Sequence, residues 1–146
     1  MTLFDVRLPA EAHEVGEWPD FQERSTRADL TPAAVKAMAR LAERWRVTVP
    51  EIGLLLGGLS DSSWHSWQRT TPSALTTDQL TRVSLLLGIY TALHVLHPGQ
   101  LADEWVQRPN SNPQFAGRTP LQAMLSGGIP AMLEVRALLD GRRGGL

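Results

Sequence analysis

Residues 76–96 read TTDQLTRVSLLLGIYTALHVL. Thr76-Thr77-Asp78-Gln79 has the pattern of a capping box, in which a threonine hydroxyl accepts from the third helical amide and a Gln or Glu there reaches back to the cap. Beyond the box the pattern predicts one long helix over 77–96. Its apolar residues, Leu80, Val83, Leu86, Leu87, Ile89, Tyr90, Leu93 and Leu96, cover more than a single stripe. A helix that is apolar on more than one side needs neighbours on more than one side. It should therefore be the central helix, packing both on the helices before it and on those after Pro98, so that both halves of the chain share a core.

Outward from that helix the same signals recur. Thr48-Val49-Pro50-Glu51 and Thr119-Pro120-Leu121-Gln122 are two more boxes, and Thr31-Pro32 reads as a cap with proline at the first helical position. Helices are predicted over 32–46, 49–56, 61–69, 77–96, 99–107, 120–126 and 130–140. Gly57-Gly58, Pro98-Gly99, the 109–117 loop PNSNPQFAG, Gly127-Gly128 and Gly141 supply the breaks. No stretch alternates in the manner of a half-buried strand, so the fold class is all-α. Residues 1–31, with seven acids against three bases and with Pro9, Gly16 and Pro19 interrupting them, read as a flexible N-terminal arm that Phe4, Trp18 and Phe21 could anchor. Residues 32–75 and 76–146 form the two helical regions beyond it.

With 146 residues, 42% of them apolar, the chain suits one domain or two small ones with a common core. A formal net charge of −1 leaves no bulk attraction for nucleic acid or an anionic membrane, so any such contact must be local. The absence of cysteine removes thiol nucleophiles, disulfides and thiolate zinc sites. No apolar run has the length of a membrane span and the opening lacks a signal-peptide pattern, which predicts a soluble cytoplasmic protein without a membrane partner. An enzyme would need a site, and the residues offer none: His94 and His97 at i, i+3 could share a metal, but no third ligand is near them in sequence. No phosphate loop, zinc-protease or serine-hydrolase pattern occurs. Neither catalysis nor a cofactor is expected.

Residues 49–69, VPEIGLLLGGLSDSSWHSWQR, predict a helix, a glycine turn and a second helix. Ile52, Leu55 and Leu56 share a face of the first, Leu59 plugs the turn, and Trp64 and Trp67 lock the second, with Trp67 expected in the core. In a DNA-binding pair of this kind the second helix enters the major groove. Here its outward residues are Asp61, Ser62, Ser63, His65 and Ser66, and serine discriminates bases weakly. Lys36, Arg40 and Arg44, four residues apart on the preceding helix, could grip phosphate together with Ser62, Ser63, Ser66 and Arg69. Alternatively these charges are a solvated helix face and the serines are caps.

Residues 101–141, LADEWVQRPNSNPQFAGRTPLQAMLSGGIPAMLEVRALLDG, join a tryptophan near a helix end, a Pro-Asn turn, a capped helix, a glycine break and a final helix. Trp105, Pro109 and Asn110 match a W-x-x-x-P-N turn. Gly117, Pro120 and Leu121 match a G-x-x-P-L helix start, and Gly127, Val135, Leu138 and Gly141 match a terminal helix ending in glycine. On these residues the chain, from about residue 40 onward, resembles the Xre/MbcA/ParS antitoxin family, and ParS-type members most. The resemblance also covers Leu59 to Trp67, as an Xre-type helix-turn-helix, and Arg82 of the long helix. It implies an Xre-like pair packed on the central helix, with a small toxin-binding helical region after it.

It further implies a type II antitoxin whose partner is a RES-domain toxin that degrades NAD or uses it for ADP-ribosylation. The antitoxin would act by occluding the toxin's active site, as a homodimer that joins the toxin in a hetero-oligomer, with operator DNA as a second partner through which it would autoregulate its operon. The departure is Asp61-Ser62-Ser63, where family members place Arg or Thr. The tail Asp140-Gly141-Arg142-Arg143-Gly144-Gly145-Leu146 should leave the last helix as a short flexible segment able to enter a cleft. Asp140 or the terminal carboxylate would meet cations of an NAD pocket, and Arg142 and Arg143 would meet acidic toxin residues. Arg136, Gly144 and Leu146 complete the expected toxin contacts at this end of the chain. Met124, Leu125, Ile129, Met132 and Leu133 exceed what so short a helix pair needs for its own core, with Ile129 and Met132 expected at the toxin. The alternative function is a stand-alone helix-turn-helix transcriptional regulator.

Overall fold

The computed structural model describes residues 19–143, and every regular element among them is helical. Helix α1 is Arg24–Trp45, α2 Val49–Leu55, α3 Asp61–Arg69, α4 Thr77–Leu96, α5 Gly99–Glu104 and α6 Pro120–Arg143. Short 3₁₀ turns lie at Trp105–Gln107 and Pro113–Phe115. The three capping boxes all form. Thr48 Oγ1 accepts from the Glu51 amide at 3.3 Å while Glu51 accepts from the Thr48 amide at 2.9 Å. Thr76 and Gln79 repeat this at 3.1 and 3.0 Å, and Thr119 and Gln122 at 3.0 Å each way.

Thr31 does not cap a helix, which corrects both the helix start at 32 and the arm ending at 31. Its Oγ1 donates to the Arg27 carbonyl at 2.6 Å and accepts from the Leu75 amide at 2.9 Å, with the residue fully buried. A hydroxyl back-bonded four residues up the helix is free to accept from another segment, and here it ties α1 to the link ahead of α4. Pro32 thus sits inside α1. The first turn is fixed instead by Arg27, which donates from Nε to the Leu75 carbonyl at 3.0 Å and from Nη1 to the Phe21 carbonyl at 2.6 Å. Phe21 packs partly buried on the core. Phe4 and Trp18 lie outside the described residues.

Helix α4 buries Leu80, Val83, Leu86, Leu87, Ile89, Ala92 and Leu93. It packs on α1, α5 and, most extensively, α6. The buried apolar residues form one cluster running from Ala34 to Leu139, so the two halves do share a core. By length and composition α4 would suffice to cross a bilayer, yet half of its apolar window is buried in this fold.

Two glycines permit this packing. At Gly53 an added Cβ would lie 2.1 Å from the Leu59 carbonyl oxygen, because the turn after α2 folds back to donate from Gly58 and Leu59 to the Gly53 carbonyl at 2.8 and 3.0 Å. Gly128, at φ 62° and ψ −146°, takes a conformation closed to side-chain-bearing residues and breaks α6 into two segments. That is the break expected between helices 120–126 and 130–140. Beyond it the helix does not stop at Asp140 but continues through Arg143, so a flexible tail from residue 140 is corrected. Gly141 has space around it, and nothing there requires a turn.

Candidate functional site

The loop between α5 and α6 is built around two aromatic rings. Trp105 and Phe115 meet edge to face, centroids 6.1 Å apart at 82°, and both are buried. Phe115 enters the core through the turn Pro113–Phe115, where Asn112 Oδ1 accepts from the Gln114 amide at 3.1 Å. The Asn110 amide donates to the Arg118 carbonyl at 3.1 Å, closing the loop, and Asn110 Oδ1 accepts from the Asn112 amide at 2.9 Å. Sequence reasoning misses Phe115; the capped Asn-Pro step just before it is the available signal.

Against this loop lies the end of α6. A cleft of about 270 Å³ is lined by His97, Leu101, Trp105, Arg108, Asn110 and Arg142, among others. It thus brings the Trp105, Pro109 and Asn110 turn together with Arg142. Arg108 is held by Glu104, whereas Arg142 has no ion-pair partner among the described residues. His97 Nε2 is buried and makes no hydrogen bond.

The other tail residues are placed differently. Asp140 is not free to meet a partner's cation: Arg136 Nε donates to both its oxygens, at 3.0 and 3.1 Å. This i, i+4 pair along α6 ties two of the expected contact residues to each other. Gly144 and Leu146 lie outside the described residues, as does the side chain of Arg143. Met132 is 0% exposed and belongs to the core, which corrects its assignment to an interface. Met124 is buried too, Leu125 and Ile129 are half-buried, and of the five apolar residues only Leu133 stands out, at 52% exposure. Their number is an excess only over the needs of the helix pair alone; α4 lies across α6 and uses them.

The N-terminal candidates separate into three places. Lys36 and Arg40 line a groove of about 430 Å³ with Trp67 and Gln68, between α1 and the end of α3. Arg44 instead approaches the Asp103 carboxylate of α5 at 3.9 Å. At the start of α3 the Ser60 hydroxyl accepts from the Ser63 amide at 3.1 Å and contacts the Ser63 and Ser62 hydroxyls at 2.9 and 3.3 Å. Two of the serines are thereby engaged in capping, while Ser66 and Arg69 are exposed further along. Trp64 is the buried tryptophan of α3, 5% exposed, and Trp67 is only half-buried at the groove, a correction to the expected core position. The reason is the short turn, closed by Gly58 and Leu59 on the Gly53 carbonyl, which sets the side of α3 turned toward the core cluster that Trp64 joins.

His94 and His97 do not share a ligand. His94 Nε2 is 2.9 Å from Asp103 Oδ1, a carboxylate that α5 returns to it, and its ring stacks at 4.2 Å on Tyr90. Burial raises the pKa of the Tyr90 phenol, the Asp103 carboxylate adds to the shift, and Arg44 opposes it. Among the described residues no group of three or more His, Asp or Glu side chains is placed to hold a metal.

The fold and the cleft define a small all-helical protein whose C-terminal third presents the recognition features. Residues 92–145 match the antitoxin Xre/MbcA/ParS C-terminal toxin-binding domain. The chain is also 36% identical over 115 residues to the uncharacterised protein y4oB of Sinorhizobium fredii (strain NBRC 101917 / NGR234), a match that spans 78% of this chain and 87% of that one. The chain belongs to the Xre/MbcA/ParS antitoxin family. Its role is that of the antitoxin in a toxin-antitoxin pair, with a toxin as partner.

Proposed function

We propose that this chain neutralises a RES-domain toxin that degrades NAD or transfers its ADP-ribose, and that it does so by covering the toxin's active site. The observation that carries this reading is the coincidence of the matched toxin-binding region with an exposed cationic helix end. Arg142, at the last turns of α6, sits beside the Trp105 to Asn110 turn within the matched region. A pocket that binds NAD holds a pyrophosphate and is lined by cations, so the Arg142 guanidinium suits acidic residues at the rim of such a pocket and not the phosphate site itself. The test is NAD consumption by the RES-domain product of the adjacent gene, titrated with this chain. Turnover should fall to zero at a fixed stoichiometry, and unaltered turnover at saturating chain would overturn the proposal.

The groove that holds Lys36 and Arg40 beside Trp67 favours a second activity, operator binding. Only part of the expected DNA surface supports it, since Arg44 and the first serines are engaged elsewhere. If phosphates are gripped there, log affinity should fall by about 0.9 per neutralised phosphate for each tenfold rise in salt. Equal retention of operator and scrambled DNA would remove the sequence-specific role.

A further inference from the structure

We infer that the cleft between the Pro109-Asn110 turn and the end of α6 is a receptor for one carboxylate side chain, an Asp or Glu of the toxin. This rests on the toxin-binding reading and names what that surface recognises. The donors are present and mostly unused. Arg142 carries a guanidinium with no ion-pair partner among the described residues. Asn110 spends its Oδ1 on the Asn112 amide, which leaves its side-chain N–H groups to donate. Arg108 already has Glu104, and none of the residues lining the cleft is acidic.

The floor decides between an anion and a mere charged surface. Trp105 and Leu101 line the cleft, and Leu101 is a large apolar residue left 40% exposed at it. A cation beside apolar walls gains more from a carboxylate that arrives with its own apolar neighbours, because water is excluded from the pair as the interface closes. A polypeptide supplies both. The volume of about 270 Å³ suits a side chain, not a helix. Position argues for the toxin over operator DNA. The named lining residues fall within residues 92–145, and none of them lines the groove that holds Lys36 and Arg40.

The test uses the full chain and two substitutions measured against the purified RES-domain toxin. Asn110→Asp keeps the oxygen that accepts from the Asn112 amide but replaces a donor by a negative charge, and Arg142→Glu reverses the unpaired cation. Each should weaken binding roughly thirtyfold or more, with melting temperature unchanged. Arg24→Glu makes the same charge change as Arg142→Glu at the exposed start of α1, where the arginine only meets the Ser73 hydroxyl, and should bind as wild type. A toxin Asp or Glu reversed to Arg should restore affinity to Arg142→Glu. Wild-type affinity in Asn110→Asp would overturn the assignment even if Arg142→Glu were weakened, because the carboxylate would then lie outside the cleft. Loss of inorganic phosphate binding with toxin affinity intact would make this a small-anion site and overturn it equally. Failure of the wild-type chain to bind the toxin would instead overturn the functional reading itself.

Discussion

Tyr90 is the one tyrosine of the sequence, so phenolate absorbance reports on a single group. Burial and the Asp103 carboxylate raise its pKa above the free value of 10.0. The folded state therefore holds the phenolic proton more tightly than the unfolded state does. The associated stability is present below pH 10 and is lost as pH rises through the folded pKa. An alkaline titration should place the folded midpoint above that of the urea-unfolded chain, and coincident midpoints would contradict the placement of Tyr90 against Asp103. The two tryptophans of α3 give a second contrast. Trp64→Ala should cost about 3–5 kcal/mol and Trp67→Ala far less, because only the first is enclosed. Equal midpoints in urea unfolding would refute the difference. Spacing alone could say that Trp64 and Trp67 share a side of the helix. Which of them the turn would press into the core depends on the approach of Leu59 to Gly53, a tertiary fact.

At the scale of elements, helix starts are legible because capping chemistry is local: three boxes written in four residues each form as read. Thr31-Pro32 carries the same local signal and yet caps nothing. Its hydroxyl is claimed by residues 27 and 75, one outside the window that a cap uses and the other 44 residues away. The end of α6 escapes a sequence reading for a related reason. Gly141 resembles a stop, but the Arg136 and Asp140 pair and the packing on α4 carry the helix to Arg143. At Gly128, by contrast, the glycine pair does mark the break. Gly128→Ala should destabilise the fold by about 1–3 kcal/mol, since φ 62° with ψ −146° is strained for any residue with a Cβ. Wild-type stability by urea unfolding would show that α6 can straighten there.

For the whole molecule, the apolar width of α4 is enough to foresee a core shared by both halves, and with it the all-helical architecture. The family can be read from the Trp105, Pro109 and Asn110 turn and the later glycines. The candidate site is legible only in part. Arg142 stands out in the sequence as a tail cation, while His97 and Asn110 reach the same cleft from α4 and the loop, 13 residues apart in sequence and joined only by the fold. Composition draws Ile129 and Met132 to the interface, yet an apolar residue says only that it will be covered, and α4 covers Met132 first. What remains for a partner is a cationic helix end, an apolar rim and a cleft between them. The most direct measurement is light scattering across a size-exclusion run of this chain mixed with the RES-domain product of the neighbouring gene at micromolar concentration. A single species heavier than either component is predicted, and two species eluting as they do alone would contradict it.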